Sequence, residues 1–236
     1  MSRLPKCWAV IPAAGIGERV SSTIPKQYLQ IAGKTILQHA ITPFVGNSHI
    51  AGITVALHPE DTHFSTLDMT IAARDKLHTV IGGATRAQSV LNALNSFEAQ
   101  LDKDDFVLVH DAARPCLTNN DLDLLIDACL AHEVGGIIGS RVVDTIKYVE
   151  NNNIVDTLDR ENIWRAYTPQ MFRFGILKSA IQKAFENNVC ITDEASAIEY
   201  IGYQPCMVDG DARNIKVTTE QDISLAEMFL QEETNR

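Results

Sequence analysis

Short unbroken apolar runs alternate along this chain with stretches whose apolar residues recur every three or four positions. That alternation limits the possible folds more than any other feature. CWAVI (7–11), ITVAL (53–57), HTVI (78–81), DFVLVH (105–110) and GGIIGS (135–140) are short and continuously apolar, which predicts strands buried on both faces. Between them, Ile36, Leu37, Ala40, Ile41 and Phe44 keep helical spacing, as do Ala87, Val90, Leu91 and Leu94, and then Leu122, Leu125, Ile126, Cys129 and Leu130. A β–α order of this kind implies an α/β fold with a mainly parallel sheet covered by helices on both faces. With 236 residues, the chain is long enough for one full core. Residues 1–236 are therefore expected to form a single domain.

The pattern changes near residue 140. VVDTIKYVENNNIVDTLD reads as two polar-alternating segments around three asparagines, a β-hairpin. It holds too little apolar material for a core of its own. Residues 141–160 are therefore expected to project as an arm and pack on something else, such as a second copy of the chain. Helices resume near 174–186, 193–201 and 219–231, the last opening with Thr219 and Asp222 at capping-box spacing.

Ligands of open α/β sheets bind beyond the carboxyl ends of the strands. Three such ends carry unusual loops: PAAGIGER after the first strand, GGATRAQS after the third and DAARP after the fourth. The first loop is not a dinucleotide fingerprint. Gly15 and Gly17 fit, but Val20 stands at the third glycine position and no acidic residue ends the second strand. It is not a P-loop either, since G-x-x-x-x-G-K-[ST] is absent. Its small residues, Ala13 to Gly17, let backbone N–H groups approach phosphate oxygens. Arg19 and Lys26 add positive charge, and Pro25 keeps its predecessor extended, which helps return Lys26 toward the glycines. From these residues alone, a tight turn with two solvated basic side chains remains the alternative.

The formal net charge is −10, with 45% apolar and 21% charged residues. This argues against a nucleic-acid partner but not against a small anion, because a few basic residues in one cleft can outweigh a diffuse negative surface. No apolar run approaches the ~20 residues needed to span a bilayer, so no membrane partner is expected. The apolar stretch after Arg3 and Lys6 is broken by Pro12 and reads as a first strand, not a signal peptide. Five scattered cysteines, at 7, 116, 129, 190 and 206, have no zinc spacing and suggest reduced thiols in a cytoplasmic protein.

PAAGIGER followed by PKQYL resembles the sugar-nucleotide and polyol-phosphate nucleotidyltransferases. With GGATRAQSV, HDAARP, DRENIW, TPQMF, ITDEASA and NIKVT in order from residue 12 to 218, the chain most resembles the 2-C-methyl-D-erythritol 4-phosphate cytidylyltransferase family. Each motif alone is weak, but their ordered combination is specific. The resemblance implies a Rossmann-like twisted sheet, transfer of a cytidylyl group from CTP to a polyol phosphate, a divalent cation such as Mg²⁺, and a homodimer joined through the arm. Such chemistry needs positioning and charge neutralisation more than acid–base help.

By resemblance, Pro12, Ala13, Ala14, Gly15 and Gly17 line the nucleotide site, while Arg19, Lys26 and Lys216 act on the phosphates. Lys216 alone would read as a surface lysine of an edge strand. Gly82, Gly83, Arg86 and Ser89 are implied near cytosine and ribose, although Ala84, Thr85 and Gln88 stand where the family often has acidic residues. Thr85 also reads as a helix N-cap. Asp111 and Ala112 are implied near the cytidine, with Asp111 near the metal, and Arg114 near the substrate phosphate. His110 is expected to be packed or hydrogen-bonded. Thr145 and Arg160 on the arm are implied to serve the neighbouring subunit's site, and Thr192 to contact the polyol phosphate. Asp193 and Glu194 also fit as ordinary residues complementing a helix dipole, and Asp209 and Asp211 as a solvated turn. Arg19, Lys26, Arg86, Arg114, Arg160 and Lys216 would then gather in one cleft. The nearest rival is a ribitol 5-phosphate cytidylyltransferase, which shares the glycine loop, the PKQ segment and the NIKVT end. Rivals of other classes are a nicotinamide-dependent oxidoreductase and a nucleotide-binding protein without catalysis.

Overall fold

The computed structural model describes residues 5–15 and 24–234. In chain order these form β1 (Cys7–Ala13), a short ribbon of β2 (Gln30–Ile31) and β3 (Lys34–Thr35), α1 (Ile36–Gly46), β4 (Ile50–Leu57), α2 (Ile71–Lys76), β5 (Leu77–Ile81), α3 (Arg86–Ser96) and β6 (Phe106–Val109). There follow α4 (Asn119–Leu130), β7 (Gly135–Arg141), β8 (Ile146–Glu150), β9 (Asn153–Leu158), β10 (Trp164–Arg173), α5 (Phe174–Glu186), α6 (Glu194–Tyr200), β11 (Cys206–Asp209) and α7 (Glu220–Thr234).

Seven strands make one sheet in the order β11-β7-β10-β6-β1-β4-β5. All neighbours are parallel except β10, which runs antiparallel to both β6 and β7. Strand alternation sorts the core into two layers. Ala9, Ile11, Phe106 and Leu108 face one side with Leu37, Ile41 and Phe44 of α1 and Leu122, Leu125 and Ile126 of α4. Trp8, Val10, Val107 and Val109 face the other with Val90 and Leu94 of α3, Leu177 and Ile181 of α5, and Ile198 of α6. A third cluster seats α7, through Ala226 and Leu230, on Ile31, Ile36, Cys116 and Val217.

The sequence reading needs two corrections here. HTVI is a strand, but it lies at the sheet edge in β5, and none of its residues is buried. Strands β10 and β11, and the short ribbon of β2 and β3, were not anticipated. β10 is admitted beside β7 because Gly135, at φ +121°, has no side chain. A Cβ there would stand 2.1 Å from the Met171 carbonyl oxygen.

The arm is a hairpin of β8 and β9, a two-stranded sheet separate from the main one. Asn151 and Asn152 take φ of 48° and 65° at its tip, the left-handed region that asparagine tolerates better than most residues. Every residue of β9 is exposed, Ile154, Val155 and Leu158 among them.

Candidate active site

The order of strands reverses around β1, which lies between β6 and β4. The carboxyl ends of β1, β5 and β6 open there into one cleft of about 250 Å³. Its walls are Pro12 to Gly15 after β1, Gly83 to Arg86 with Ser89 at the head of α3, and Asp111 to Ala113 after β6, closed by Lys26, Gln27 and Lys216. Among the described residues lining it, Asp111 is the only carboxylate.

Each wall has a local cause. On β1, the Val10 carbonyl accepts from His110 toward β6, and pairing with β6 ends at that residue. Pro12, two residues on, faces the same side and deprives the ladder of no bond. Gln27 donates to the Ala13 carbonyl at 2.9 Å and more weakly to that of Gly15 at 3.4 Å, so PKQYL pins the loop that follows β1. Gly82 passes so close to it that a Cβ would lie 2.5 Å from the Ala14 Cβ. The Ser89 hydroxyl accepts from the Gly83 N–H at 3.0 Å and donates to the Thr85 carbonyl at 3.0 Å. It therefore shapes the Gly-Gly turn. Thr85 is the N-cap of α3, accepting from the Gln88 N–H.

Asp111 is the electrostatic hub. Oδ1 accepts from Arg86 Nε at 2.8 Å and Oδ2 lies 2.8 Å from Lys216 Nζ, with Arg114 Nε 4.0 Å away. Burial works against its charge, but Arg86 and Lys216 outweigh it and hold the carboxyl well below the usual range. Arg86 is also gripped by Glu194, whose two oxygens accept from Nη1 at 2.7 Å and Nη2 at 2.9 Å. Burial opposes the guanidinium charge, yet Glu194 and Asp111 reverse that and raise its pKa. Glu194 is only 2% exposed. The expectation of an ordinary dipole-complementing residue is thus corrected for Glu194, whereas Asp193 is the N-cap of α6, in a reciprocal pair with Ser196.

Beneath Asp111 lies a second layer. Its N–H donates to the Thr168 hydroxyl at 3.0 Å. His110 is fully buried, with Nδ1 3.0 Å from that hydroxyl and Nε2 3.0 Å from the Arg114 carbonyl. Arg114 donates to the Asn214 carbonyl at 2.6 Å and lies over the Tyr167 ring at 4.9 Å. Burial lowers its pKa. The Asn214 amide donates to the Thr168 carbonyl. On the far side, Lys26 Nζ donates to the Val217 carbonyl at 2.7 Å, and the Val217 N–H donates to the Ala113 carbonyl at 2.8 Å. Val217 is buried beneath α7, so that helix sets where its neighbour Lys216 stands. Residues 214–218 belong to no strand, which corrects the edge-strand alternative.

Lys26, Arg86, Asp111, Ala112, Ser89, Gly83 and the Pro12–Gly15 turn are thus brought together with Lys216. Of the six cations expected to gather, Lys26, Arg86 and Lys216 line the cleft among the described residues. Arg114 is buried beside the cleft, and Arg160 is exposed on the arm, where it donates to the Val143 carbonyl. Thr145 is also exposed at the arm's base. Thr192 lies at the head of α6 and lines an adjoining cavity. Arg19 and Gly17 lie outside the described residues. Asp209 is exposed, but Asp211 is ion-paired with Arg213 and accepts its backbone N–H, so the expected solvated turn is partly internally bonded. No group of three or more His, Cys, Asp or Glu among the described residues could hold a metal.

A family model described as 2-C-methyl-D-erythritol 4-phosphate cytidylyltransferase matches residues 7–232. A protein of that name from Vibrio parahaemolyticus is 47% identical over 226 residues, covering 95% of each chain. One from Aeromonas hydrophila is 48% identical over 233 residues, covering 98% of this chain and 93% of its own. The crystal structure of the Francisella tularensis 2-C-methyl-D-erythritol 4-phosphate cytidylyltransferase superposes with a TM-score of 0.81 at 38% identity, covering 95% of this chain and 99% of its own.

Proposed function

The chain belongs to the 2-C-methyl-D-erythritol 4-phosphate cytidylyltransferase family, and from that premise we propose how its residues work. The reaction joins 2-C-methyl-D-erythritol 4-phosphate to CTP and releases pyrophosphate, giving 4-diphosphocytidyl-2-C-methyl-D-erythritol for isoprenoid precursor synthesis. The family match and the relatives' names favour this substrate over ribitol 5-phosphate.

The observation that carries the assignment is the pairing of Lys26 and Lys216 beside the turn after β1, tied together through Val217. The triphosphate of CTP lies against backbone N–H groups of Ala13 to Gly15, with Gly17 and Arg19 a few positions further along the sequence. The base and ribose take the Gly82–Ser89 turn. The attacking phosphate monoester has its second pKa near ~6, so it is already anionic at neutral pH and needs no general base. As it adds in line to the α-phosphorus, negative charge accumulates on the equatorial oxygens. Lys26, Lys216 and Arg19 neutralise it. Arg114 and Thr192 hold the polyol phosphate.

A divalent cation, Mg²⁺ in the simplest case, supplies further neutralisation of the triphosphate. Among the described cleft residues Asp111 is the one carboxylate, and both its oxygens already face cations. Asp111 would hold such an ion together with phosphate oxygens and water, the hard oxygen donors that Mg²⁺ takes.

The arm, residues 141–160 of a single domain, completes a homodimer. Val143, Tyr148, Val149, Ile154 and Val155 leave apolar surface in water, which a second copy would cover. Thr145 and Arg160 then reach the partner's polyol phosphate, for which the arginine fork suits a terminal phosphate. Among the described residues no helix is long and apolar enough to cross a membrane. The five cysteines carry reduced thiols, which supports a reducing cytoplasm.

The test is pyrophosphate release with Mg²⁺, comparing 2-C-methyl-D-erythritol 4-phosphate with ribitol 5-phosphate and CTP with ATP. Release confined to the first of each pair is expected. Release only with ribitol 5-phosphate would reassign the substrate while keeping the lysines, and release with neither would overturn the assignment.

A further inference from the structure

We propose that Glu194 is a positioning residue for the transfer step, fixing the Lys216 ammonium through Arg86 and Asp111 without touching substrate. The inference rests on the reading of Lys216 as a phosphate-binding cation.

Glu194 opens α6 and is absent from the cleft wall; it lines the neighbouring cavity instead. A carboxylate that merely complements a helix dipole gains little from burial, because taking a charge out of water is costly. Here burial is nearly complete and both oxygens engage the Arg86 fork. A guanidinium is planar, so holding its two terminal nitrogens also fixes the direction of its Nε–H. That N–H meets Asp111 Oδ1 at 2.8 Å.

The same logic repeats one residue further. The Asp111 carboxylate is planar, its Oδ1 is held by Arg86 and its backbone N–H is held by Thr168. Its Oδ2 then has one place to be, 2.8 Å from Lys216 Nζ. The Lys216 side chain is 45% exposed, and a long exposed lysine samples many rotamers unless anchored. The chain Glu194–Arg86–Asp111–Lys216 restricts it to the cleft side.

The geometry also separates this role from a purely architectural one. The backbone at the head of α6 is held independently of the Glu194 charge. Gln170 accepts from the Ala195 N–H at 2.9 Å and donates to Asp193 at 2.8 Å. Glu194→Gln should therefore keep the helix in place. Its amide offers one acceptor and turns an NH₂ toward a guanidinium N–H, which breaks the fork.

The experiment measures kcat and KM for CTP in the wild type, Glu194→Gln, Arg86→Gln and the double variant, with Lys216→Ala as control and thermal unfolding of each. Glu194→Gln is expected to lower kcat about tenfold or more while KM for CTP stays within about threefold, the mark of lost alignment. In the Arg86→Gln background it should add no further loss of kcat, because the path is already cut. A Glu194→Gln kcat within about twofold of wild type, losses that multiply in the double variant, or loss of cooperative unfolding in Glu194→Gln would each overturn the proposal. Normal turnover in Lys216→Ala would instead overturn the reading of Lys216 on which it rests. An inactive Lys216→Ala beside a normal Glu194→Gln would sink the positioning role alone.

Discussion

Acid should loosen this protein through one histidine. His110 ends the β6 region fully buried, against the Phe44 ring and between Asp111 and Arg114. The Thr168 hydroxyl accepts from the Asp111 N–H, so its own hydrogen points to His110 Nδ1, and the Nε2–H donates to the Arg114 carbonyl. The neutral ring fills both positions. Burial lowers its pKa from 6.5 to about 4, whereas in the unfolded chain it keeps the ordinary value. Above pH 6.5 neither state binds the proton and His110 costs nothing. As pH falls from 6.5 toward 4 the unfolded chain takes up the proton first, and stability is lost across that window. At pH 4.5 a shift of this size removes about 2–3 kcal/mol. Asp111, held well below the usual carboxylate range, stays ionised over the same interval. Urea unfolding at pH 7.5 and 4.5 should be compared between the wild type and His110→Gln. The variant should start less stable, having lost ring packing, yet lose about 2–3 kcal/mol less on acidification. Equal acid losses in the two proteins would refute the linkage.

Three further outcomes concern the cleft. Lys26→Ala or Lys216→Ala should lower kcat by a factor equivalent to about 3 kcal/mol with cooperative unfolding retained; near-normal turnover in both would remove the assigned transition-state role. Arg160→Ala should raise KM for the polyol phosphate and spare CTP binding measured by calorimetry; weakened CTP binding alone would show that the arm does not serve the acceptor. Gly82→Ala puts a methyl 2.5 Å from Ala14 Cβ and 2.9 Å from Ser89 Oγ. It should cost about 1–3 kcal/mol of stability and raise KM for CTP, and an unchanged melting curve would contradict the close approach.

Elements with local signals were legible. The apolar runs of β1, β4, β6 and β7, the asparagine turn of the arm, and the caps at Thr85 and Thr219 depend on neighbours a few positions away, and the structure has them. β10 was not legible because Thr168 and Gln170 interrupt its apolar pattern. Both are buried polar residues bonded to the site, Thr168 to Asp111 and His110, Gln170 to the head of α6. The grip of Glu194 on Arg86 spans 108 positions, beyond any local pattern. Nor could ITDEASA say which of its two acids is the cap and which is buried. Gln27 was passed over inside PKQYL, since nothing in its neighbourhood announces that its amide holds the turn after β1. The role of Lys216 came from family resemblance, because a lone lysine in a loop carries no spacing signal, whereas Lys26 was legible beside Pro25 and the small residues after β1.

The distances along the chain between the partners at the cleft have a kinetic meaning. Lys26 meets Val217 across 191 positions, Arg114 meets Asn214 across 100, and Arg86 meets Glu194 across 108. Contacts this remote must await closure of large loops, so they consolidate slowly compared with helices and hairpins. During refolding, helical ellipticity should therefore return before turnover does. Recovered turnover would then report that the whole chain has reached its final arrangement, a stricter criterion than any spectroscopic signal from its helices.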